Sequence, residues 1–408
     1  MDVAILKQRR EKLGNLLNNG EIVIIFAAEE QKGIAKYLQN NNFLYLTGLY
    51  ETPEAVFVCQ KQKDTIHETL YIQRNIPEMI VWDGAKLYPD EAKEISGILN
   101  VKYVDEFDES ILHPLQISTK AFVNTGLNSL RKPPNKELYF VSRVRNRVLD
   151  ISFAEANQLM AQLRQIKDDS EIDFLSKAIE ITGIGLSSIF TNAAVGMYEY
   201  ELEALLFYEM KKRGLDNFGF APIIAAGINA TTLHYKKNNT MISEDELVLC
   251  DCGALYQNYS ADITRTFPIA GTFSQRQKAV YSEVLNVQKT IICMIKPGVS
   301  MIELNQKANE LIGESCVRLG LITDTAECKK YYMHSIGHQL GMDTHDLGSR
   351  DSVLLPGMVI TIEPGIYIKE EGIGVRIEDD ILVTEDGYHN LSHMIPKEID
   401  EIETLRNR

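Results

Sequence analysis

No apolar run in the sequence approaches the roughly twenty residues a helix needs to cross a bilayer, so no membrane partner is expected. The opening, Met1-Asp2-Val3-Ala4-Ile5-Leu6-Lys7-Gln8-Arg9-Arg10-Glu11, runs straight into charge, unlike an export signal, and a cytoplasmic location is expected. Basic clustering is missing as well. The net charge is −15 and no patch of Lys and Arg stands out, which argues against a nucleic-acid surface. Cysteine is sparse: the six, at 59, 250, 252, 293, 316 and 328, are scattered, so a disulfide framework is not expected. Cys250 and Cys252 flank Asp251, and in a strand they would point away from it, as small core residues rather than metal ligands. Trp82 is the single tryptophan, in the loop-like Ile80-Val81-Trp82-Asp83-Gly84. It reads either as core packing or as a contact at a subunit or substrate boundary.

What is present is enough for two domains: 408 residues with 45% hydrophobic content. Residues 1–165 read as a smaller α/β domain. It has a helix over Arg9–Leu17 and strands at Ile22–Phe26, Phe43–Gly48 and Ala55–Cys59. A helical stretch from Ala154 to Lys167 bridges to the second domain, 166–408. There Asp168 with Glu171 forms a capping box, and Ile172, Leu175, Ile179 and Thr182 share one helical face. A second helix runs from about 198 to Arg213 and stops at Gly214, before strands at Leu247–Gly253 and Tyr259–Phe267. The order then recurs. Ser274 with Gln277 and Ser300 with Glu303 cap two more helices, and strands follow at Met358–Glu363 and Val375–Val383. The pattern implies an α+β domain whose sheet is clasped by two helix pairs about an approximate two-fold.

Carboxylates occupy matching stations in that repeat. The first strand pair carries Asp251 and Asp262; the second carries Glu363 and Glu378. Each lies in an apolar, strand-like context, where an unpaired ionised carboxylate costs roughly several kcal/mol. The bases in those strands, chiefly Arg265 and Arg376, are too few to neutralise the set. A cation is needed instead.

Of eight histidines, three fall in Met333-His334-Ser335-Ile336-Gly337-His338 and Asp343-Thr344-His345-Asp346. Gly337 argues against the helix that a metal-binding histidine pair four residues apart would require, so this stretch reads as loop or strand. With His338 added, four carboxylates and one imidazole make an oxygen-rich set without thiolate. Such a set suits two divalent ions of the manganese, cobalt or zinc type better than one structural zinc.

These residues resemble the pita-bread (creatinase/aminopeptidase) metallopeptidases, the fold of methionine aminopeptidase, prolidase and aminopeptidase P. The likeness rests on the spacing of Asp251 and Asp262, the run Ser260-Ala261-Asp262-Ile263-Thr264-Arg265-Thr266-Phe267-Pro268, and His338 in His-Ser-Ile-Gly-His. It extends to Ile362-Glu363-Pro364-Gly365 and Arg376-Ile377-Glu378-Asp379-Asp380. In the first domain, Asn42-Phe43-Leu44-Tyr45-Leu46-Thr47-Gly48, Glu54-Ala55-Val56 and Val81-Trp82-Asp83-Gly84 look like the amino-terminal domain of aminopeptidase P.

The resemblance implies an Xaa-Pro aminopeptidase acting on peptides with proline second, through a hydroxide bridging two divalent ions, foremost manganese. It makes Asp251 a ligand of one metal, Asp262 and Glu378 bridging ligands, and His338 and Glu363 ligands of the other. Glu363 would move the proton to the leaving nitrogen, His234, His334 and His345 would face substrate, and Arg376 would brace the site. His345 would hydrogen-bond the peptide near the scissile bond. A homodimer or homotetramer is implied too. Residues around Asn217-Phe218-Gly219-Phe220 are candidates for the proline slot. The chain departs from the pattern at Ala225-Ala226-Gly227-Ile228-Asn229-Ala230 and in the short segment between Pro364 and Arg376. Prolidase, confined to dipeptides, is the alternative; a peptide-binding homologue without catalysis is a third reading.

Overall fold

The computed structural model describes residues 2–30, 37–126, 133–215, 217–349 and 351–407. The chain divides into two compact units, Met1–Leu163 and Arg164–Arg408.

In the first unit, six strands form one mixed sheet: β1 (Glu21–Phe26), β2 (Val56–Gln62), β3 (Thr65–Ile72), β4 (Val101–Tyr103), β5 (Lys120–Val123) and β6 (Ser152–Glu155), in the order β4-β3-β2-β1-β5-β6. The near-continuous apolar run of β1 fits its central position, covered on both faces. Helices Phe107–Gln116 and Lys136–Arg145 pack Phe107, Ile111, Phe140 and Val144 against Ile22, Ile24, Val56 and Val58.

Four local expectations change. Phe43–Gly48 is not a strand but lies within the buried helix Asn41–Thr47 and its cap: Asn40 Oδ1 accepts from the Phe43 N–H at 3.1 Å, and Gly48 ends the helix at φ +71°. A short apolar run does not tell a strand from a buried helix, and the two caps decide it. The stretch from Ala154 splits into β6 and a helix, Asn157–Arg164. The first helix is longer than expected, Val3–Leu16. Trp82 sits on the helix Pro77–Asp83, which buries none of its residues, and is 81% exposed, so the core-packing reading fails.

In the second unit the repeat is visible. Helices Asp169–Asn192 and Glu199–Lys212 precede β7 (Ile223–Ala226), β8 (Leu247–Cys252), β9 (Leu255–Tyr256), β10 (Tyr259–Ser260) and β11 (Ile263–Pro268). Helices Gln275–Ile292 and Met301–Arg318 precede β12 (Val359–Ile362), β13 (Gly365–Ile368), β14 (Ile373–Arg376), β15 (Asp379–Val383) and β16 (Tyr388–Asn390). All three expected capping boxes form, at Asp168, Ser274 and Ser300. Strands pair as β11-β8-β7, β12-β15-β16, β13-β14 and β9-β10. The two halves are stitched by the Thr266 hydroxyl donating to the Arg376 carbonyl at 3.0 Å and the Glu378 N–H donating to the Thr264 carbonyl at 3.1 Å.

Candidate active site

Strand ends bring the carboxylates together. Asp251 is next to last in β8, and antiparallel pairing sets it opposite Thr264 of β11. Asp262 immediately precedes β11, Glu363 immediately follows β12, and Glu378 lies between β14 and β15. Cys250 and Cys252 are buried, with burial pushing both thiols upward.

His338 comes from the irregular histidine stretch, which runs alongside β12: the Glu363 N–H donates to the Ile336 carbonyl at 2.8 Å and the Thr361 N–H to the His338 carbonyl at 2.9 Å. Gly337 permits that approach. A Cβ there would lie 1.9 Å from the Thr361 carbonyl oxygen, so no other residue fits without displacing backbone.

Asp262, His338 and Glu378 each offer a ligand atom within 4.8 Å of the others. His338 Nε2 lies 3.4 Å from Asp262 Oδ2 and 3.7 Å from Glu363 Oε1. Its Nδ1 faces the Gln339 carbonyl at 3.0 Å, which fixes Nδ1 as donor and turns Nε2 toward the carboxylates. Arg376 donates to Asp251 Oδ2 at 2.5 Å, to Tyr367 Oη at 3.0 Å and to Thr264 Oγ1 at 3.1 Å. The Thr264 hydroxyl in turn donates to Glu378 Oε2 at 2.6 Å. Arg265, the other base, is used elsewhere, paired with Asp379 at 2.7 Å.

Burial drives the electrostatics. It raises the Asp262 carboxyl to about 6 and the Glu363 carboxyl to about 7, and with neighbouring carboxylates it lifts Glu378 well above its ordinary range. For His338 burial works against the charged form, but Asp262 and Glu363 outweigh it and raise the ring to about 9. Asp251 Oδ1 is buried with no hydrogen-bond partner among the described residues, although Oδ2 is engaged by Arg376. A buried acceptor left unpaired beside crowded carboxylates is what a divalent cation satisfies, so the donor set fits a metal.

A cleft of about 910 Å³ is lined by all nine sequence-predicted site residues: Asp251, Asp262, His338, Glu363, Glu378, Arg376, His234, His334 and His345. His334 Nε2 accepts from the Tyr367 hydroxyl at 2.8 Å, while its Nδ1 faces the Ser335 carbonyl at 2.8 Å. Burial, helped by Arg376, lowers this ring to about 3, so it is neutral. The His345 ring lies 4.2 Å from that of His338, centroid to centroid. His234 is exposed at the rim. Of the four residues proposed around the proline slot, Gly219 and Phe220 line the cleft, whereas Phe218 packs on Phe207 at 5.9 Å.

Three further residues join the site without having been singled out. Thr264 links Arg376 to Glu378, and alternation from Asp262 along the strand was a signal for it. Tyr367 connects Arg376 to His334. Asp380 accepts from the Asp262 N–H through Oδ2 at 3.2 Å, and its Oδ1 is buried without a partner among the described residues.

Residues 173–385 match the metallopeptidase family M24, and residues 6–122 match the aminopeptidase P N-terminal domain. The chain is 32% identical to the Xaa-Pro aminopeptidase of Escherichia coli, over 98% of this chain and 96% of that one. It superposes with TM-score 0.96 on a Bacillus anthracis chain provisionally assigned as an aminopeptidase P, at 40% identity over 100% of this chain and 99% of that one. Zinc-substituted E. coli aminopeptidase P in complex with product superposes with TM-score 0.90 at 30% identity, over 100% of this chain and 98% of that one. With its carboxylate-lined cleft and its two domains, the chain belongs to metallopeptidase family M24 and has the aminopeptidase P fold.

Proposed function

We propose that the chain is an Xaa-Pro aminopeptidase, releasing the first residue of peptides whose second residue is proline. The observation that carries this reading is the convergence of Asp251, Asp262, His338, Glu363 and Glu378 on one cleft. In this reading they would hold two divalent ions, foremost manganese, with cobalt or zinc as alternatives. Asp262 and Glu378 would be held in common, Asp251 would serve one ion, and His338 with Glu363 would serve the other. When bound, the pair supplies a Lewis acid for the scissile carbonyl and a water of lowered proton affinity.

The chain's own groups do the rest. Glu363, 3.7 Å from His338 Nε2 in the cleft, is placed to take a proton and pass it to the leaving proline nitrogen. His345 donates to the peptide near the scissile bond and to the oxyanion as it develops. Neutral His334 and rim His234 orient the substrate, and Arg376 fixes Asp251 and, through Tyr367, His334. A tertiary Xaa-Pro amide has no N–H to offer, so an apolar surface must recognise the ring, and Phe220, Ile223 and Leu233 supply one in the cleft.

Two wider assignments belong to the same reading. Val81 and Trp82, 87% and 81% exposed side by side, support a homodimer or homotetramer that covers them. All six cysteines are free thiols, which supports a cytoplasmic location; no helix among the described residues is long and apolar enough to cross a membrane. Xaa-Pro dipeptides assayed beside Xaa-Pro-Yaa tripeptides test the activity. Turnover of the tripeptide supports the aminopeptidase, and turnover confined to dipeptides makes the chain a prolidase.

A further inference from the structure

His345 stands on a loop with no regular secondary structure, and a group that must meet a substrate within a fraction of an ångström needs its backbone fixed. Next to it, Asp346 turns inward with a side chain only 1% exposed. Arg164 Nη2 lies 2.5 Å from Asp346 Oδ1 and 2.6 Å from Asp343 Oδ2, bracketing His345 from both sides in sequence. Lys167 Nζ lies 3.2 Å from Asp346 Oδ2. Both cations are themselves buried, at 2% and 5% exposed.

The surroundings are built around this cluster. The Asp346 N–H closes the loop by donating to the Gln339 carbonyl at 2.9 Å, and the Lys167 N–H donates to the Gly357 carbonyl at 2.9 Å. A Cβ on Gly341 would lie 2.0 Å from Asp346 Oδ2, so a glycine is required for the carboxylate to reach its partners. An isolated buried pair is poor evidence of stabilisation. Buried cations that grip two points of one short loop, the buried Asp346 and the 45% exposed Asp343, do something more specific: they set where the residue between those points stands.

We propose that Arg164, with Lys167, is a positioning residue that holds the Asp343–Asp346 loop so that His345 faces the scissile peptide. The inference rests on the reading of His345 given above. Neither cation is among the described residues that line the cleft, so their effect reaches the substrate through the loop they grip.

A double-mutant cycle with Arg164→Gln and His345→Ala on the metal-loaded enzyme tests it. A misplacement of about 1 Å costs on the order of 100-fold, so Arg164→Gln is expected to lower kcat/KM by about that factor with metal content unchanged. In the His345→Ala background the same change should add almost nothing. Asp343→Asn, on the more exposed arm, removes one contact, keeps Asp346 engaged, and should give a smaller loss that also vanishes without His345. Arg164→Lys should recover part of the rate. Equal losses with and without His345 would overturn the proposal, as would metal loss in Arg164→Gln and Asp343→Asn alike. If His345→Ala alone keeps the full rate, it is the reading of His345 that fails, and the positioning role falls with it.

Discussion

Arg376 and Asp251 meet at 2.5 Å inside the second unit, both nearly inaccessible to water, so that one carboxylate oxygen is paired and the other is left to a different partner. Removing the guanidinium strands Asp251 as an uncompensated buried charge. Arg376→Met is therefore expected to destabilise the metal-free protein by about 3–5 kcal/mol. Denaturant unfolding with and without added metal checks this. A smaller loss when metal is present supports a cation beside Asp251, and equal losses count against one.

Asp262 contributes a buried carboxylate at the centre of the cluster. Asp262→Asn keeps shape and volume while removing the charge, so it should abolish metal occupancy and activity and leave the fold intact. Circular dichroism and elemental analysis report the two separately. Full metal content in the variant would refute the shared-ligand role.

The metal-free protein should also answer to pH in an unusual direction. Asp262 and Glu363 are raised to about 6 and 7, and His338 to about 9, so through these three groups the folded state holds more protons than the unfolded one over the window from about 4 to 9; His334, lowered to about 3 by burial, offsets one of them below about 6.5. The protein loses stability as pH rises through that window. For His338 the contribution is fully present below about 6.5 and lost through about 9. Thermal unfolding of chelated protein from pH 5 to 9 should show a falling midpoint, and saturating metal should flatten the slope. Asp346 works the other way: burial would raise it, but Arg164 and Lys167 hold it below the ordinary carboxylate range, so its stabilisation is lost only as pH falls below about 4.

Gly337→Ala should place a methyl group against the Thr361 carbonyl, at 1.9 Å before relaxation. Overpacking of this kind costs about 1–3 kcal/mol, and here it pushes His338 away from Asp262. The variant is expected to lose metal affinity as well as stability, read by competition with a chelator. Unchanged affinity would mean that the close approach does not set the ligand.

The candidate cluster was far more legible in the sequence than the local structure around it. Carboxylates in apolar, strand-like contexts announce themselves because burial without a partner is costly, and the typed contexts around Asp251, Asp262, His338, Glu363 and Glu378 order them along the chain, although only Asp251 lies within a strand and the other three carboxylates sit where strands begin or end. The capping boxes at Asp168, Ser274 and Ser300 were readable for a similar reason, since each joins residues three apart. Phe43–Gly48 was misread because an apolar run of that length carries no usable period. Tyr367 escaped notice because its hydroxyl meets His334 and Arg376 only after strands β13 and β14 pair. Arg164 escaped because its partners lie 179 and 182 residues away. Contacts of that range belong to the fold and leave no local trace.

Metal-dependent cleavage before proline is tested by release of the first residue from an Xaa-Pro-Yaa tripeptide by chelated protein reloaded with manganese, with bound metal counted by elemental analysis. No turnover is expected after chelation, full turnover on reloading, and about two ions per chain. Turnover that survives complete removal of metal would contradict metal dependence, and full restoration by zinc alone would overturn the choice of manganese.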